Sequence, residues 1–418
     1  MKIAILGFGR EGRSILKFLK KDKEFKKAEV CIVDKKSTIK LPRGCRARLG
    51  KNYLKNLDDF DIIFRSPGIP YLLPEIQKAK KQGVKISSAT NLFFERYPGK
   101  IVGIIGTKGK GTTATLLYKI LRVAGKDVFL AGNIGTPSLD ILSKTDKKSI
   151  VIFELSSFQL QDLKISPSIA AVLDVFPDHL DAHKNLKEYY DAKSNIGRYQ
   201  KPGDKIFFFK NNNLSRHVAS KGDGKKISVD EESYKLFSPE DLLIKGAHNF
   251  KNAVMAATIA KSIDVPQKII LKTVKKFRGL PYRIQFTKKI RGVSYYNDSA
   301  STNPLSTIAA IKSFSQPIIL ISGGVSKNID FKEFGKIADK TLKMIILFGE
   351  NKKEIRKTIK DSSKVKMAGI LKNAIKIASS FSSSGDIILF SPASTSFDMF
   401  KNYEERGLAF DKIVEFMR

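Results

Sequence analysis

The sequence GTKGKGTT, from Gly106 to Thr113, has the composition of a loop that binds phosphate groups. It joins an apolar run, KIVGIIG, to a helical pattern, TTATLLYKILRVAG. Its backbone N–H groups can therefore surround phosphate oxygens, and Lys110 can reach the phosphate that is transferred. Relative to the pattern G-x-x-x-x-G-K-[ST], Ile104 replaces the first glycine and Gly111 follows the lysine, so we expect Thr112 to supply the hydroxyl that holds magnesium. A glycine-rich turn with incidental lysines is the alternative.

An acidic residue and two histidines offer further ligands. ELSSFQL places Glu154 at the end of an apolar strand, where a carboxylate can bind magnesium or act only as a surface or helix-capping acid. DHLDAH spaces His179 and His183 four residues apart, which suits zinc on a helix. Because the sequence offers no third soft ligand nearby, we expect His179 to bind magnesium and His183 to have a structural role.

Other polar turns follow apolar strands. GFGREG, with Gly7, Gly9 and Gly12, matches the G-x-G-x-x-G dinucleotide pattern, and Asp34 lies where an acid would contact a ribose. A nicotinamide cofactor, another nucleotide diphosphate and a merely structural turn all stay open. NDSASTN at 297–303 and SPASTSFD at 391–398 also follow strands, where parallel sheets bind ligands, although helix capping explains them equally well.

The elements that must position these turns alternate between short apolar strands and amphipathic helices. This alternation predicts an α/β protein with mostly parallel sheets. Turn residues at Tyr97-Pro98-Gly99 and at GLPYR divide it into three domains. We expect a Rossmann-like domain at 1–97, a P-loop ATPase-like central domain at 98–280 and a Rossmann-like C-terminal domain at 281–418.

Composition narrows the class of protein. The 418 residues include 76 Lys and Arg against 41 Asp and Glu, a net charge of +35. The lysines are dispersed, without a basic tail or an RNA-binding motif, so we expect a solvated, lysine-rich surface and no nucleic-acid partner; steering of an anionic small substrate into a cleft is a further use of this charge. No apolar run approaches the ~20 residues of a membrane span, and the N-terminal apolar stretch is too short for a signal peptide. Cys31 and Cys45 form no disulfide framework, so we expect a cytoplasmic protein.

In their order along the chain, these motifs resemble those of the Mur ligase family. The resemblance covers almost the whole chain and rests on SPGIP, GTKGKGTT, AGNIGTP, ELSSFQL, DHLD, HNFKNA, GLPYR, NDS-x-x-TN and SPASTSFDMFKNYEERG. It implies an ATP-dependent ligase that forms an amide through an acyl phosphate. The similarity is greatest to members that add D-glutamate to UDP-N-acetylmuramoyl-L-alanine in peptidoglycan synthesis. A relative that adds another amino acid, such as L-glutamate, and a non-catalytic UDP-sugar binder are the alternatives.

The resemblance also implies a ligand for each group of residues, with UDP rather than NAD in the first domain. The UDP substrate would contact Arg10, Glu11, Asp34, Lys35, Ser66, Pro67, Gly68, Asn133, Ser156 and Gln159. ATP would contact Gly106, Thr107, Lys108, Gly109, Lys110, Gly111, Thr112, Thr113, Asn249, Asn252, Arg283 and Asp298. The incoming amino acid would contact Thr302, Lys327, Ser396, Phe397 and Tyr403.

The implied cofactors are ATP and one or two Mg²⁺ ions. The metal ligands would be Thr112, Glu154, His179 and Lys193, the last after modification by CO₂ to a carbamate; an unmodified, solvated Lys193 is the alternative. The catalytic residues would be Lys110, Glu154, His179, Lys193 and Lys327. One departure from the family is Ala300, which replaces the usual lysine of NDSKATN and removes a cation near the acyl phosphate.

For the oligomeric state, we expect the protein to be a monomer.

Overall fold

A computed structural model describes residues 1–133, 135–177, 183–244, 246–325 and 330–417 of the chain. His179 and Lys327, to which the sequence assigned roles, lie outside these residues. The chain divides into two compact units. Unit 1 comprises Met1–Tyr234 and Lys251–Leu271, and unit 2 comprises Lys235–Phe250 and Lys272–Arg418.

The first sheet of unit 1 is parallel and has the strand order β3-β2-β1-β4-β5. Its strands are β1 (Lys2–Leu6), β2 (Glu29–Asp34), β3 (Arg46–Leu49), β4 (Ile62–Arg65) and β5 (Lys85–Ser87). Its helices are α1 (Arg10–Leu19), α2 (Pro74–Lys81) and α3 (Ala89–Arg96), with a 3₁₀ turn at Leu57–Asp59. After its first residue β1 is buried throughout, which explains why it reads as a continuous apolar run rather than an alternating one.

The second sheet of unit 1 is also parallel, with the order β11-β10-β9-β6-β8-β7. Its strands are β6 (Lys100–Ile105), β7 (Val128–Gly132), β8 (Ile150–Glu154), β9 (Ile169–Val172), β10 (Lys205–Phe209) and β11 (Lys225–Val229). The helices along this part of the chain are α4 (Lys110–Val123), α5 (Ser138–Leu142), α6 (Ser157–Leu160), α7 (Leu186–Arg198), α8 (Asn213–Ala219), α9 (Ala247–Lys261) and α10 (Gln267–Lys276), with a 3₁₀ turn at Pro239–Asp241.

The two sheets of unit 1 share one apolar core. The ring of Phe93 on α3 lies 5.6 Å from the ring of Phe153 on β8, and the ring of Tyr97 stacks on Phe93 at 5.1 Å. Ile5 of the first sheet and Val151 of the second belong to the same buried cluster. This continuous burial fixes the turns of the first sheet against the turns of the second.

Unit 2 contains a third sheet, of order β12-β13-β17-β14-β15-β16. Its strands are β12 (Gln285–Ile290), β13 (Val293–Asn297), β14 (Ile318–Gly323), β15 (Leu342–Phe348), β16 (Val365–Met367) and β17 (Ile387–Phe390). Its helices are α11 (Pro304–Ile311), α12 (Lys332–Thr341), α13 (Lys352–Arg356), α14 (Leu371–Ser380) and α15 (Tyr403–Glu415), with a 3₁₀ turn at Ser362–Lys364. Only the edge pair of β12 and β13 is antiparallel among the described pairs.

The predicted α/β class with mostly parallel sheets is confirmed. The boundaries 1–97, 98–280 and 281–418 stay a prediction. Across the described residues, no helix is both long enough and apolar enough to cross a membrane.

Candidate active site

The phosphate loop, Gly106–Thr113, connects the end of β6 to the start of α4. Gly109 precedes the helix with φ of 83°, a left-handed conformation that favours glycine. A Cβ at Gly109 would lie 2.2 Å from Asn252 Oδ1, so glycine also lets the Asn252 side chain approach the loop. Lys110 Nζ donates to the backbone oxygens of Gly106 at 3.0 Å and Thr107 at 3.1 Å, and Lys108 is exposed. The structure thus gathers the predicted ATP residues of unit 1 at one loop.

Glu154 and Thr112 carry side-chain oxygens near the phosphate loop, at the same end of the second sheet of unit 1. Glu154 is the last residue of β8, which pairs with β6, and only 3% of the residue is exposed. Its Oε1 accepts from Asn133 Nδ2 at 3.4 Å. Thr112 is half-buried in the first turn of α4, beside the fully buried Thr113. Carboxylate and hydroxyl oxygens are ligands that Mg²⁺ prefers, so Glu154 and Thr112 fit the predicted ion.

Lys193 on α7 completes the described part of the predicted metal set. It is 2% exposed, and its Nζ donates to the Gly106 carbonyl at 3.3 Å and lies 4.4 Å from the centroid of the Tyr189 ring. An ammonium group has no lone pair for a metal, whereas a carbamate would offer two oxygens. Among the described residues, no group of three His, Cys, Asp or Glu side chains is placed to hold a metal. Of the four predicted metal ligands, Thr112, Glu154 and Lys193 are described, and His179 lies outside the described residues.

A cleft of about 430 Å³, the N-terminal cleft, opens between the turns of the two sheets of unit 1. It is lined by Gly7, Gly9, Arg10, Glu11, Ser66, Pro67, Gly68, Ile69, Gly132, Asn133 and Pro137. Ser66 Oγ donates to the Gly7 carbonyl at 2.7 Å. A Cβ at Gly7 would lie 2.9 Å from Ser66 Cβ, so the two turns touch only because Gly7 is glycine. The structure thereby brings together Arg10, Glu11, Ser66–Gly68 and Asn133, to which the family resemblance assigned the UDP substrate; that assignment stays a prediction.

The other residues predicted for that substrate lie around the cleft rather than on the described lining. Asp34 accepts from the backbone N–H groups of Phe8 at 2.7 Å and Lys36 at 2.9 Å, so its carboxylate holds the glycine turn, while Lys35 is exposed. Ser156 and Gln159 form a reciprocal cap on the short helix α6. Gln159 Nε2 then donates to Glu11 Oε1 at 3.5 Å.

A buried polar array lies behind α6, and the sequence predicts a role for only one of its members, His183. Ser157 Oγ lies 2.9 Å from His183 Nε2, and His183 Nδ1 lies 2.6 Å from Glu188 Oε2. This order of groups resembles a hydrolytic triad, but Ser157 is 3% exposed and His183 is 4% exposed. A nucleophile must meet its substrate, so we assign this array to positioning. The contacts agree with the structural role expected for His183.

In unit 2, the NDSASTN and GLPYR segments form one polar centre. Asp298 Oδ1 accepts from the backbone N–H of Ile284 at 3.1 Å, and its Oδ2 accepts from Ser391 Oγ at 2.6 Å. Burial raises the pKa of Asp298 to about 6, although hydrogen bonds from Ser301 and Ser391 and, more weakly, the charge of Arg283 oppose the shift. Ala300 donates its backbone N–H to the Tyr282 carbonyl at 2.9 Å. Asn249, the remaining residue predicted for ATP, lies in the first turn of α9.

Arg406 was absent from the predicted site, yet it joins two predicted loops of unit 2. It is 1% exposed and donates to Ser299 Oγ at 3.0 Å, to the Ser299 carbonyl at 2.9 Å and to the Ser394 carbonyl at 3.0 Å. The residues predicted for the amino acid adjoin these loops: Ser396 is buried, Phe397 is 70% exposed, and Thr302 and Tyr403 are half-buried. An arginine inside the NYEERG segment was the only sequence signal for this contact.

Comparison with known proteins identifies the family. Residues 1–88 match the N-terminal domain of MurD-like Mur ligases, residues 104–260 the Mur ligase middle domain, and residues 282–394 the Mur ligase glutamate ligase domain. Proteins named UDP-N-acetylmuramoylalanine–D-glutamate ligase from Acetivibrio thermocellus and Clostridium tetani are 37% and 35% identical to this chain. Each alignment covers 99% of this chain and 96% of the relative.

Solved structures share the fold. The UDP-N-acetylmuramate-alanine ligase MurC of Thermotoga maritima superposes with a TM-score of 0.56 at 18% identity, covering 99% of both chains. The MurF ligase of the same organism, solved in complex with ADP, gives 0.57 at 17% identity and covers 99% of this chain and 94% of MurF. The chain belongs to the Mur ligase family, whose members are ATP-dependent, amide-forming ligases. The predicted family, three-domain arrangement and enzyme class are confirmed.

Proposed function

We propose that this chain adds D-glutamate to UDP-N-acetylmuramoyl-L-alanine at the expense of ATP, in the synthesis of peptidoglycan precursors. One contact carries the proposal: Asn133 lines the N-terminal cleft and also donates to Glu154 beside the phosphate loop. A substrate with its nucleotide in that cleft would direct its other end past Asn133 toward the transferred phosphate. The names of the full-length relatives support the same substrates.

The chemistry has two steps. A carboxylate oxygen of the alanine attacks the γ-phosphorus of ATP, the bond to the ADP oxygen breaks, and an acyl phosphate forms. The amine of D-glutamate then attacks the acyl carbon, loses a proton, and inorganic phosphate leaves as the amide forms. Lys110 and the backbone N–H groups of the phosphate loop offset the negative charge that builds up on the phosphoryl oxygens.

The proposed cofactor is Mg²⁺, held by Glu154, Thr112 and a carbamylated Lys193, with His179 as a further ligand. A bound ion would neutralise charge on the phosphates. Glu154 and Lys193 are both almost completely buried, and a carboxylate and a carbamate would supply oxygen ligands of the kind that Mg²⁺ prefers.

Unit 2 would bind the incoming amino acid. The proposed contacts are Thr302, Ser396, Phe397 and Tyr403, together with Lys327 as the partner of the side-chain carboxylate. Arg283, Asp298 and Asn249 would contact ATP. We also propose that the enzyme acts as a monomer in the cytoplasm, where ATP and nucleotide-linked sugars are made.

The test is phosphate release from Mg-ATP and UDP-N-acetylmuramoyl-L-alanine with D-Glu, L-Glu, D-Asp, L-Lys or meso-diaminopimelate added singly. Release with D-Glu alone is the expected result. Release with another amino acid would preserve the ligase chemistry and change the specificity. A protein that binds the UDP substrate and releases no phosphate with any of them would favour a non-catalytic relative, with Ala300 as the disabling replacement.

A further inference from the structure

Arg65 is a buried cation where the first sheet of unit 1 meets the second. It ends β4, directly before Ser66-Pro67-Gly68, and is 1% exposed. A guanidinium in this position loses its hydration, so its hydrogen bonds must replace water. In the sequence it interrupts the apolar run DIIF before the turn SPG. Neither the phosphate loop nor the described lining of the N-terminal cleft includes it.

The guanidinium bonds to both sides of the junction. Nη1 donates to the Ile69 carbonyl at 2.7 Å, which closes the turn that lines the N-terminal cleft. Nη2 donates to the Phe158 carbonyl at 2.8 Å and to Asp162 Oδ1 at 3.3 Å, both in the segment that follows Glu154 along the chain. The planar fork of arginine can satisfy these acceptors together, which the single ammonium of lysine cannot do in the same geometry.

Arg65 also sits beside two buried carboxyl groups. Within the part of unit 1 that the structure describes, Glu11 Oε2 and Asp162 Oδ2 are buried without a hydrogen-bond partner. Burial raises the pKa of both carboxyl groups, and in each case Arg65 is the strongest opposing charge. Glu11 also lines the cleft, so the charge of Arg65 favours the ionised carboxylate of a lining residue.

The Phe158–Asp162 segment, which accepts hydrogen bonds from Arg65, also contacts His183. The ring of Phe158 stacks on His183, with centroids 5.0 Å apart and an interplanar angle of 14°. Helix α6 spans only Ser157–Leu160, too short to be stable without such outside contacts. The position of Ser156 and Gln159 at the edge of the cleft therefore depends on both contacts.

We propose that Arg65 is a positioning residue for the UDP-linked substrate: it fastens the Ser66–Gly68 turn to the Phe158–Asp162 segment and so preforms the N-terminal cleft. The proposal rests on the function proposed above. A preformed cleft spares the ligand the cost of ordering two turns, so the effect falls on substrate affinity rather than on the phosphate loop.

The test compares Arg65→Lys with Asp162→Asn. The first variant keeps the charge and loses the fork, and the second keeps the shape and loses the charge. Calorimetry measures the Kd of UDP-N-acetylmuramoyl-L-alanine and, separately, of ATP, and steady-state kinetics supply KM and kcat. We expect Arg65→Lys to raise the Kd and KM for the UDP substrate about tenfold or more, with ATP affinity nearly constant. Asp162→Asn should shift the same two constants in the same direction by a smaller factor.

Ser14→Ala is the matched control. Ser14 Oγ on α1 donates to Asp140 Oδ1 on α5 at 3.1 Å, so it joins the same two sheets away from the cleft lining. The control should leave the Kd of the UDP substrate within about twofold of the wild-type value. If Arg65→Lys does not fold, Asp162→Asn carries the test, because it is nearly isosteric.

Two results would overturn the proposal. One is an unchanged Kd for the UDP substrate in folded Arg65→Lys or Asp162→Asn protein. The other is a parallel rise in the Kd of ATP, which would mean general loosening of unit 1. A wild-type protein that fails to bind UDP-N-acetylmuramoyl-L-alanine would instead refute the proposed function, and the role of Arg65 with it.

Discussion

Lys110 and Lys193 donate to the same acceptor, the backbone carbonyl of Gly106, at 3.0 Å and 3.3 Å. One lysine lies at the start of α4 and the other is buried on α7, so two ammonium groups converge on the phosphate loop from different elements. Like charges held this close repel each other in a poorly solvated site. Conversion of Lys193 to a carbamate would replace that repulsion with attraction.

Replacement of Lys110 by alanine should remove turnover and spare the UDP substrate. The loop would lose the cation nearest the transferred phosphate, and kcat should fall at least about 100-fold. The N-terminal cleft is lined by other residues, so the Kd of UDP-N-acetylmuramoyl-L-alanine should change little. Phosphate release and calorimetry measure the two effects. The control is Arg122→Ala, an exposed cation at the other end of α4. A lower kcat together with a higher Kd for the UDP substrate in Lys110→Ala would mean that the loop has a structural role only.

The carbamate on Lys193 has its own test. Removal of CO₂ from the assay should lower activity, and bicarbonate should restore it. Protein equilibrated with ¹³C-bicarbonate should show a carbamate carbon signal that disappears in Lys193→Ala. The control is Lys187→Ala, an exposed lysine on the same helix, which should keep both the signal and the activity. Full activity without CO₂ would leave Lys193 as an unmodified cation.

Two adjacent threonines separate metal binding from packing. Thr112→Val should raise the Mg²⁺ concentration that gives half-maximal activity, because the predicted ligand hydroxyl is lost. Thr113 is fully buried, and its Oγ1 has no hydrogen-bond partner among the described residues. Thr113→Val should therefore leave the Mg²⁺ dependence unchanged and stabilise the fold by about 1 kcal/mol. Titrations with Mg²⁺ and thermal unfolding decide the matter; equal Mg²⁺ curves for wild type and Thr112→Val would remove Thr112 from the metal site.

Asp298 should give stability a distinct pH dependence. Burial raises the pKa of its carboxyl group from 3.8 to about 6, so the folded state holds this proton more tightly than the unfolded state. The contribution of Asp298 to stability therefore falls as pH rises through this window, by on the order of 3 kcal/mol in total. The free energy of unfolding, measured at pH 4.5 and at pH 7.5, should lack this pH-dependent contribution in Asp298→Asn. The exposed Glu333→Gln provides the control, and identical pH profiles for wild type and Asp298→Asn would contradict the account.

Local sequence was informative wherever function depends on residues close together in the chain. The apolar runs before Gly7, Gly106 and Glu154 predicted parallel strands. The family resemblance assigned Arg10, Ser66 and Asn133 to the UDP substrate, and the structure places all three on one cleft, although their ligand stays a prediction. The grouping needed the resemblance, because GFGREG alone left three ligands open.

Long-range contacts could not be predicted in this way. Arg65 lies 93 residues from Phe158 and 97 from Asp162, and no periodicity links a charge in one strand to a carbonyl in a distant helix. Ser157 and His183 are 26 residues apart and meet only when α6 packs near α7. His179 and Lys327 lie outside the described residues, so the roles predicted for them stay predictions.

The most direct measurement follows one oxygen atom. UDP-N-acetylmuramoyl-L-alanine labelled with ¹⁸O in the alanine carboxylate is incubated with Mg-ATP and D-glutamate, and the released phosphate and the nucleotide product are analysed by mass spectrometry. We expect a product heavier by one glutamate residue and one ¹⁸O atom in each inorganic phosphate, released only when D-glutamate is present. Product formation with unlabelled phosphate would contradict the acyl-phosphate route, and the absence of product would contradict the proposed reaction.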